Sequence, residues 1–160
     1  MIKRLAIYDM DGTVVCSLHR YHTLEKDGRE VIDLDHWREN QNKAMQDGLL
    51  PLAEQYQKDI QDPFCYVIIA TARVLCEPDK QFIAEKLGNP DYIISRKDGE
   101  TTGGGVLKAK GLKKFFNLKN FKEAWANPAT CFYDDNALYV KAVCDAFKIR
   151  GVYIPSNQGH

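Results

Sequence analysis

Short apolar runs alternate with helical patterns along this chain. Five runs are rich in Val, Ile and Tyr, and four of them are too continuously apolar to leave one face of a strand in water. They are the segments 3–9 (KRLAIYD), 65–71 (CYVIIAT), 91–95 (DYIIS), 129–135 (ATCFYDD) and 151–155 (GVYIP). Helical spacing of apolar positions occurs in the segments 34–45, 51–60, 78–88, 107–116 and 136–147. The alternation predicts a three-layer α/β/α, Rossmann-like fold with a central, mainly parallel five-stranded sheet.

Residues 12–34 break this alternation. Two apolar segments, TVVCSL and EVIDL, flank the polar EKDGRE, which predicts a small β-hairpin flap that turns at Asp27 and Gly28. No linker or repeat interrupts the chain, and 160 residues are the size of one ordinary domain. Residues 1–160 are therefore expected to form a single domain.

Charge, apolar run length and cysteine spacing argue against several classes of protein. The 22 basic and 22 acidic side chains cancel, so the net charge does not indicate a nucleic-acid coat protein or a membrane binder. The first apolar run is too short for a signal peptide, and no later segment is long enough to span a membrane, which predicts a cytoplasmic protein without a membrane partner. The five cysteines lack paired spacing and are expected to be reduced.

Polar side chains end four of the predicted strands. They are Asp9 and Asp11 after the first, Thr71 and Arg73 after the second, Arg96 and Lys97 after the third, and Asp134 and Asp135 after the fourth. Ligands of open parallel sheets bind at this edge. Asp9 and Asp11 face the same way, about 7 Å apart at their Cα atoms, and Gly12 lets the chain turn away from them. Converging carboxylates repel one another unless a cation lies between them, and oxygen ligands favour Mg²⁺.

Phosphoryl transfer is the chemistry that these residues fit. A carboxylate held against Mg²⁺ can attack phosphorus to give an aspartyl phosphate, while the metal and a lysine neutralise the phosphoryl oxygens. A second acid would protonate the leaving group and then activate water. A hydroxyl and backbone N–H groups from Thr71 onwards could hold a phosphate oxygen.

The motifs DMDGT at Asp9, IIATAR with Thr71, a helical lysine and FYDDN with Asp134 resemble, in that order, those of the haloacid dehalogenase-like (HAD) hydrolases. Among these, the chain looks most like the phosphatase domain of polynucleotide kinase/phosphatase. The resemblance implies Asp9 as the nucleophile, Asp11 as the general acid/base and Lys108 as the neutralising lysine. The implied substrate-binding residues are Thr71, Ala72, Arg73 and Arg96. The implied Mg²⁺ ligands are Asp9, the main-chain carbonyl of Asp11 and an acid of the Asp134/Asp135 pair.

Some assignments stay open at this point. Lys97 and Lys110 are alternatives to Lys108, and either Asp134 or Asp135 could be the direct metal ligand. The gaps between the motifs are too short for a full cap domain, which implies an open site or one covered by a partner in a homo-oligomer. The glycine run TTGGG is expected to form a mobile loop, in place of a charged segment in the phosphatase that the chain resembles.

The expected function is a Mg²⁺-dependent phosphomonoester hydrolase that acts on a nucleotide or a nucleic-acid 3′-phosphate. A basic stretch within residues 96–122 would suit such a polyanion, although the solvated face of an amphipathic helix is the favoured interpretation for most of its lysines. The alternatives are a phosphatase for small metabolites or 5′-nucleotides and a non-catalytic phosphate-binding or phospho-accepting module. Cys16, His19 and His22 have a spacing that zinc could use, without an evident fourth ligand.

Overall fold

The computed structural model describes residues 1–20 and 23–156. The strands are β1 (Arg4–Tyr8), β2 (Val15–Cys16), β3 (Thr23–Lys26), β4 (Arg29–Ile32), β5 (Gly48–Leu49), β6 (Cys65–Ala70), β7 (Tyr92–Ile94), β8 (Cys131–Asp134) and β9 (Arg150–Tyr153). The α-helices are α1 (Leu34–Glu39), α2 (Ala53–Gln61), α3 (Glu77–Phe82), α4 (Gly104–Phe116), α5 (Lys122–Ala126) and α6 (Ala137–Phe147). Turns of 3₁₀-helix lie at Leu18–Arg20, Gln41–Gln46 and Lys119–Phe121, and a π-helical turn lies at Ile83–Leu87.

The central sheet has the strand order β7-β6-β1-β8-β9, and all neighbouring strands are parallel. β1 lies in the middle, between β6 and β8. The chain moves outward from β1 first through β6 and β7 and later through β8 and β9, so the strand order reverses at β1. The predicted five-stranded parallel sheet is confirmed, and this point of reversal is where such sheets bind ligands.

Two apolar cores cover the two faces of the sheet. Alternate residues of β1 belong to different cores, because successive side chains of a strand point to opposite faces. Leu5 and Ile7 pack with residues of α4, α5 and α6, whereas Ala6 and Tyr8 pack with residues of α2, α3 and the π-helical turn. The predicted three-layer arrangement is confirmed.

The region after β1 differs in detail from the prediction. β3 and β4 form the predicted hairpin, and its turn has positive φ at Asp27 (53°) and Gly28 (74°), as a type I′ turn requires. The prediction that TVVCSL forms one arm of this hairpin is wrong, because Val15–Cys16 pairs antiparallel with Gly48–Leu49 instead. Val14 and Val15 are fully buried in the core beneath this ribbon, which explains why the segment stays close to the sheet.

The glycine run also differs from its prediction. Gly104 and Gly105 are the first residues of α4, so this part of the run is helical rather than a mobile loop. A Cβ on Gly104 would lie 2.4 Å from the hydroxyl of Tyr139 in α6. Glycine is therefore needed for the close approach of α4 to α6. The sequence pattern also missed α5, a five-residue helix that buries Ala124 and Trp125.

The chain between β1 and β6 forms the hairpin, the β2/β5 ribbon, α1 and α2. In the part that the structure describes, these elements do not amount to a full cap domain. The described helices are all too short or too polar to cross a membrane.

Candidate active site

The polar residues predicted at the ends of β1, β6 and β8 lie at one edge of the sheet. Asp9 directly follows β1, and its backbone N–H donates to the carbonyl of Tyr133 in β8 (2.9 Å). Thr71 directly follows β6, and its backbone N–H donates to the carbonyl of Ile94 in β7 (2.8 Å). These bonds continue the hydrogen bonding of the sheet by one residue beyond β1 and β6. Asp9 and Thr71 are therefore held in place by the sheet itself.

Lys108 connects the acids of two strands. Its Nζ lies 2.9 Å from Asp9 Oδ1 and 2.6 Å from Asp134 Oδ2, and the lysine is only 1% exposed. Burial alone would lower the pKa of Lys108, but the carboxylates of Asp9 and Asp134 outweigh it and raise that pKa. The alternatives Lys97 and Lys110 are both exposed. The structure therefore brings Lys108, and neither alternative, to the predicted nucleophile.

Three carboxylates could hold one cation at this point. Ligand oxygens of Asp9, Asp134 and Asp135 all lie within 4.8 Å of one another. Both carboxylate oxygens of Asp135 are buried without a hydrogen-bond partner among the described residues. An all-oxygen set with unpartnered buried oxygens fits Mg²⁺, which binds few protein carboxylates and keeps some of its water.

Burial and mutual repulsion of these three carboxylates raise the pKa values of Asp134 and Asp135. Burial and the nearby Asp9 carboxylate raise the pKa of Asp135 to about 9 and that of Asp134 to about 7, although Lys108 lowers the latter. Protonation of one of these acids would relieve the repulsion among the three carboxylates.

Gly12 allows Asp135 to sit against the turn after β1. Its φ is 79°, and a Cβ at this position would lie 2.1 Å from Asp135 Oδ2. A side chain at residue 12 would thus displace one of the predicted metal ligands.

Ser17 and Arg73 orient the carboxyl group of Asp11. Ser17 Oγ donates to its Oδ1 at 2.7 Å, and Arg73 donates to the same oxygen at 2.5 Å. Arg73 also donates to Asp79 Oδ1 at 2.7 Å, and its side chain is 4% exposed. This arginine contacts the predicted general acid/base, and its predicted contact with substrate stays a prediction.

A second arginine completes a buried network that the sequence reasoning missed. The fully buried Arg20 donates to both carboxylate oxygens of Asp47 (3.0 and 2.8 Å) and to Asp79 (3.3 Å). The guanidinium carbons of Arg20 and Arg73 lie 4.3 and 4.8 Å from the centroid of the Trp37 ring. The network joins the β2/β5 region and α1 to the end of β6.

The remaining predicted substrate-binding residues lie around the end of β6. Thr71 is buried, and its Oγ1 accepts from the backbone N–H of Arg73 (3.2 Å). Arg96 donates to the backbone carbonyls of Ala72 (2.7 Å), Glu100 (3.1 Å) and Thr102 (2.6 Å). Arg96 thereby holds the loop before α4 against the end of β6, and contact of these residues with a substrate stays a prediction.

The possible zinc site has little structural support. His19 Nε2 lies 2.6 Å from Asp47 Oδ1, so this imidazole already has a carboxylate partner. Cys16 belongs to β2, and His22 lies outside the described residues.

Comparison with known proteins gives the family. A family model described as bacteriophage T5 5′-deoxynucleotidase matches residues 1–151. The chain belongs to this family. The curated 5′-deoxynucleotidase of Escherichia phage T5 is 32% identical over 88 residues, which are 53% of this chain and 36% of that protein. The chain thus matches about a third of the length of that relative. The activity in the description of this family, that of a 5′-deoxynucleotidase, falls in the predicted enzyme class, the phosphoric monoester hydrolases.

Solved structures confirm the fold of this family member. A chain of the Pnkp1/Rnl/Hen1 RNA repair complex has a TM-score of 0.63 and 18% identity, and the match covers 96% of this chain and 42% of that one. The HAD domain of the effector Lem4 from Legionella pneumophila, as an inactive mutant, has a TM-score of 0.63 and 15% identity. That match covers 99% of this chain and 88% of the Lem4 chain. At these identities the likeness shows the HAD fold alone, as the sequence motifs predicted.

Removal of one charge from the arginine network is expected to destabilise the protein. Asp47→Asn leaves the buried guanidinium of Arg20 without its main counter-charge, and we expect a loss of about 3 kcal/mol in the free energy of unfolding, measured by urea denaturation. Asp145→Asn is the control, because it breaks an ion pair with Lys141 that lies fully at the surface. Equal stability of the two variants would contradict a structural role for the network.

Magnesium binding is expected to release a proton. Because the pKa values of Asp134 and Asp135 are raised, we expect Mg²⁺ to displace a proton when it binds, and its affinity to increase with pH until both acids are ionised. Calorimetric titration in two buffers of different ionisation enthalpy measures this release. We expect weaker Mg²⁺ binding for Asp135→Asn and unchanged binding for Asp145→Asn. Mg²⁺ binding without proton release would show that the acids do not share a proton in the folded protein.

Proposed function

We propose that this protein is a Mg²⁺-dependent phosphomonoesterase that hydrolyses 5′-mononucleotides through a phosphorylated Asp9. The contact of Lys108 with both Asp9 and Asp134, beside a third buried carboxylate, is the observation that carries this proposal. A protein that only binds phosphate has no need for a nucleophile, a second acid and a neutralising lysine together. Their presence supports catalysis over the non-catalytic alternative.

Asp9 acts as the nucleophile in this proposal. Lys108 and the hydroxyl of Thr13, which donates to Asp9 Oδ2 at 3.1 Å, hold its carboxylate in one orientation. One of the Asp9 oxygens attacks phosphorus, and the bond from phosphorus to the ester oxygen breaks. Lys108 then lies close enough to the reacting group to stabilise its negative charge.

Asp11 handles the protons of both steps. As an acid, it gives a proton to the departing ester oxygen; as a carboxylate, it then takes a proton from water. The oxygen of that water attacks phosphorus, and the bond to Asp9 breaks to release inorganic phosphate. Arg73 and Ser17 are positioning residues that aim the Asp11 carboxyl, since both donate to its Oδ1.

The phosphoryl group would lie between these acids and Thr71. The Thr71 hydroxyl and the backbone N–H groups that follow it could donate to phosphoryl oxygens. Asp9 and Asp135 would be the direct metal ligands together with the carbonyl of Asp11, because Asp134 is already paired with Lys108 whereas Asp135 has no donor among the described residues. Bound there, Mg²⁺ would supply a Lewis acid that withdraws charge from the phosphoryl oxygens.

Two observations favour a 5′-mononucleotide over a nucleic-acid 3′-phosphate. The relative from phage T5 is a 5′-deoxynucleotidase. The exposed basic residues of α4, such as Lys113 and Lys114, also lie five and six positions beyond Lys108, about 8 Å or more further along the helix axis and away from the carboxyl edge. A polyanion bound at Asp9 would gain little from them. Homo-oligomerisation and a cytoplasmic location stay predictions.

A substrate panel tests this function. With Mg²⁺, we expect faster phosphate release from 5′-deoxynucleoside monophosphates than from 3′-mononucleotides or a 3′-phosphorylated oligonucleotide. Asp9→Asn should lower kcat by at least about a thousandfold, since it removes the nucleophile. Preference for the oligonucleotide would overturn the proposed substrate, and full activity of Asp9→Asn would overturn the mechanism.

A matched pair of lysine variants tests whether Lys108 takes part in the reaction. Lys108→Met keeps much of the buried volume but removes the charge, and should lower kcat about a hundredfold or more. Lys110→Met removes an exposed charge two residues later in α4 and should have little effect. Equal activities of the two variants would exclude Lys108 from the reaction.

A further inference from the structure

An uncharged cleft opens beside the acid cluster, on the side of β9. Its volume is about 360 Å³, which lies within the range of small-molecule sites. Gly12 and Ser156 line it next to the acids, and its other lining residues are Cys16, Leu18, Leu50, Tyr153 and Pro155. Apart from Gly12, which leaves room for Asp135, these residues have no role in the phosphoryl chemistry proposed above.

The cleft adjoins the candidate active site at Gly12. The Cβ position of Gly12 lies 2.1 Å from Asp135 Oδ2 and 2.5 Å from Ser156 Oγ, so the cleft and the metal-binding acids meet at this glycine. Tyr153 pairs in register with Asp134 across β8 and β9. Cys16, another lining residue, directly precedes Ser17, the donor to Asp11. A group in the cleft would thus lie close to both the metal-binding acids and the acid that protonates the leaving group.

The lining has the chemistry of a site for a flat aromatic group. Tyr153 is 51% exposed and Leu18 43%, although both stand next to a site that is otherwise buried and charged. A tyrosine ring can stack on any nucleobase, because every base has an aromatic face. The lining side chains carry no formal charge, which suits an uncharged base and sugar and would offer nothing to a further phosphate.

We propose that this cleft binds the nucleoside part of the substrate, with the base stacked on Tyr153 and with Leu18 and Leu50 against the base or sugar. This inference rests on the proposed function, since it gives a place to the leaving group of a 5′-mononucleotide. It makes Tyr153 a specificity-determining residue, in a position that the HAD motifs do not include.

Binding of nucleosides without phosphate tests the cleft separately from catalysis. The dissociation constants of thymidine and deoxyadenosine would be measured by NMR titration of the full chain in the presence of Mg²⁺. We expect Tyr153→Ala to weaken binding at least about fivefold, as the loss of one stacking contact does, and Tyr153→Phe to retain it. Phe64→Ala is the matched control, because Phe64 is also 51% exposed but precedes β6 at the opposite edge of the sheet.

The results of this experiment distinguish failure of the nucleoside subsite from failure of the proposed function. Absence of nucleoside binding to the wild type, or equal losses for Tyr153→Ala and Phe64→Ala, would overturn the nucleoside subsite even if the enzyme releases phosphate from other esters. Nucleoside binding that depends on Tyr153, without hydrolysis of 5′-mononucleotides, would support the subsite and overturn the proposed function.

Discussion

Electrostatic repulsion among buried carboxylates is the constraint on which this site depends. Asp9, Asp134 and Asp135 converge at the carboxyl edge of the sheet, and Lys108 is the buried cation that contacts two of them. One ammonium group does not neutralise three carboxylates, so a proton or a metal ion must balance the remaining charge. This imbalance is the reason to expect a divalent cation between these acids.

The rest of the fold holds this cluster together. Lys108 reaches Asp9 because α4 packs closely on α6, and Gly104 permits that contact by leaving room for Tyr139. On the other side of Asp11, the arginine network fixes the segment after β1 to the end of β6. Helix packing thus holds the site on one side. On the other side, it is held by the ion pairs of Arg20 and Arg73, whose guanidinium groups lie over the Trp37 ring.

Much of the site could be predicted from the sequence, because its residues lie at strand ends. Asp9, Thr71 and Asp134 each end an apolar run, and a parallel sheet brings such ends to one edge. Arg20 and Asp47 carry no such signal, since their meeting depends on how the segment between β1 and β6 folds in three dimensions. The pairing of β2 with β5 was missed for the same reason: each strand has only two residues, too few for a period-two pattern. The sequence predicted a mobile loop for the glycine run, because Tyr139, against which Gly104 packs, is distant in sequence.

Transfer of phosphate to Asp9 is the step on which the proposed mechanism depends. The Asp11→Asn variant would be mixed with an aryl phosphate, whose leaving group needs little help from an acid, and quenched rapidly in acid before peptide mapping by mass spectrometry. We expect phosphate on the peptide that contains Asp9, because loss of Asp11 slows hydrolysis of the intermediate more than its formation. Continued release of phosphate without any covalent phosphate on Asp9 would contradict the proposed mechanism.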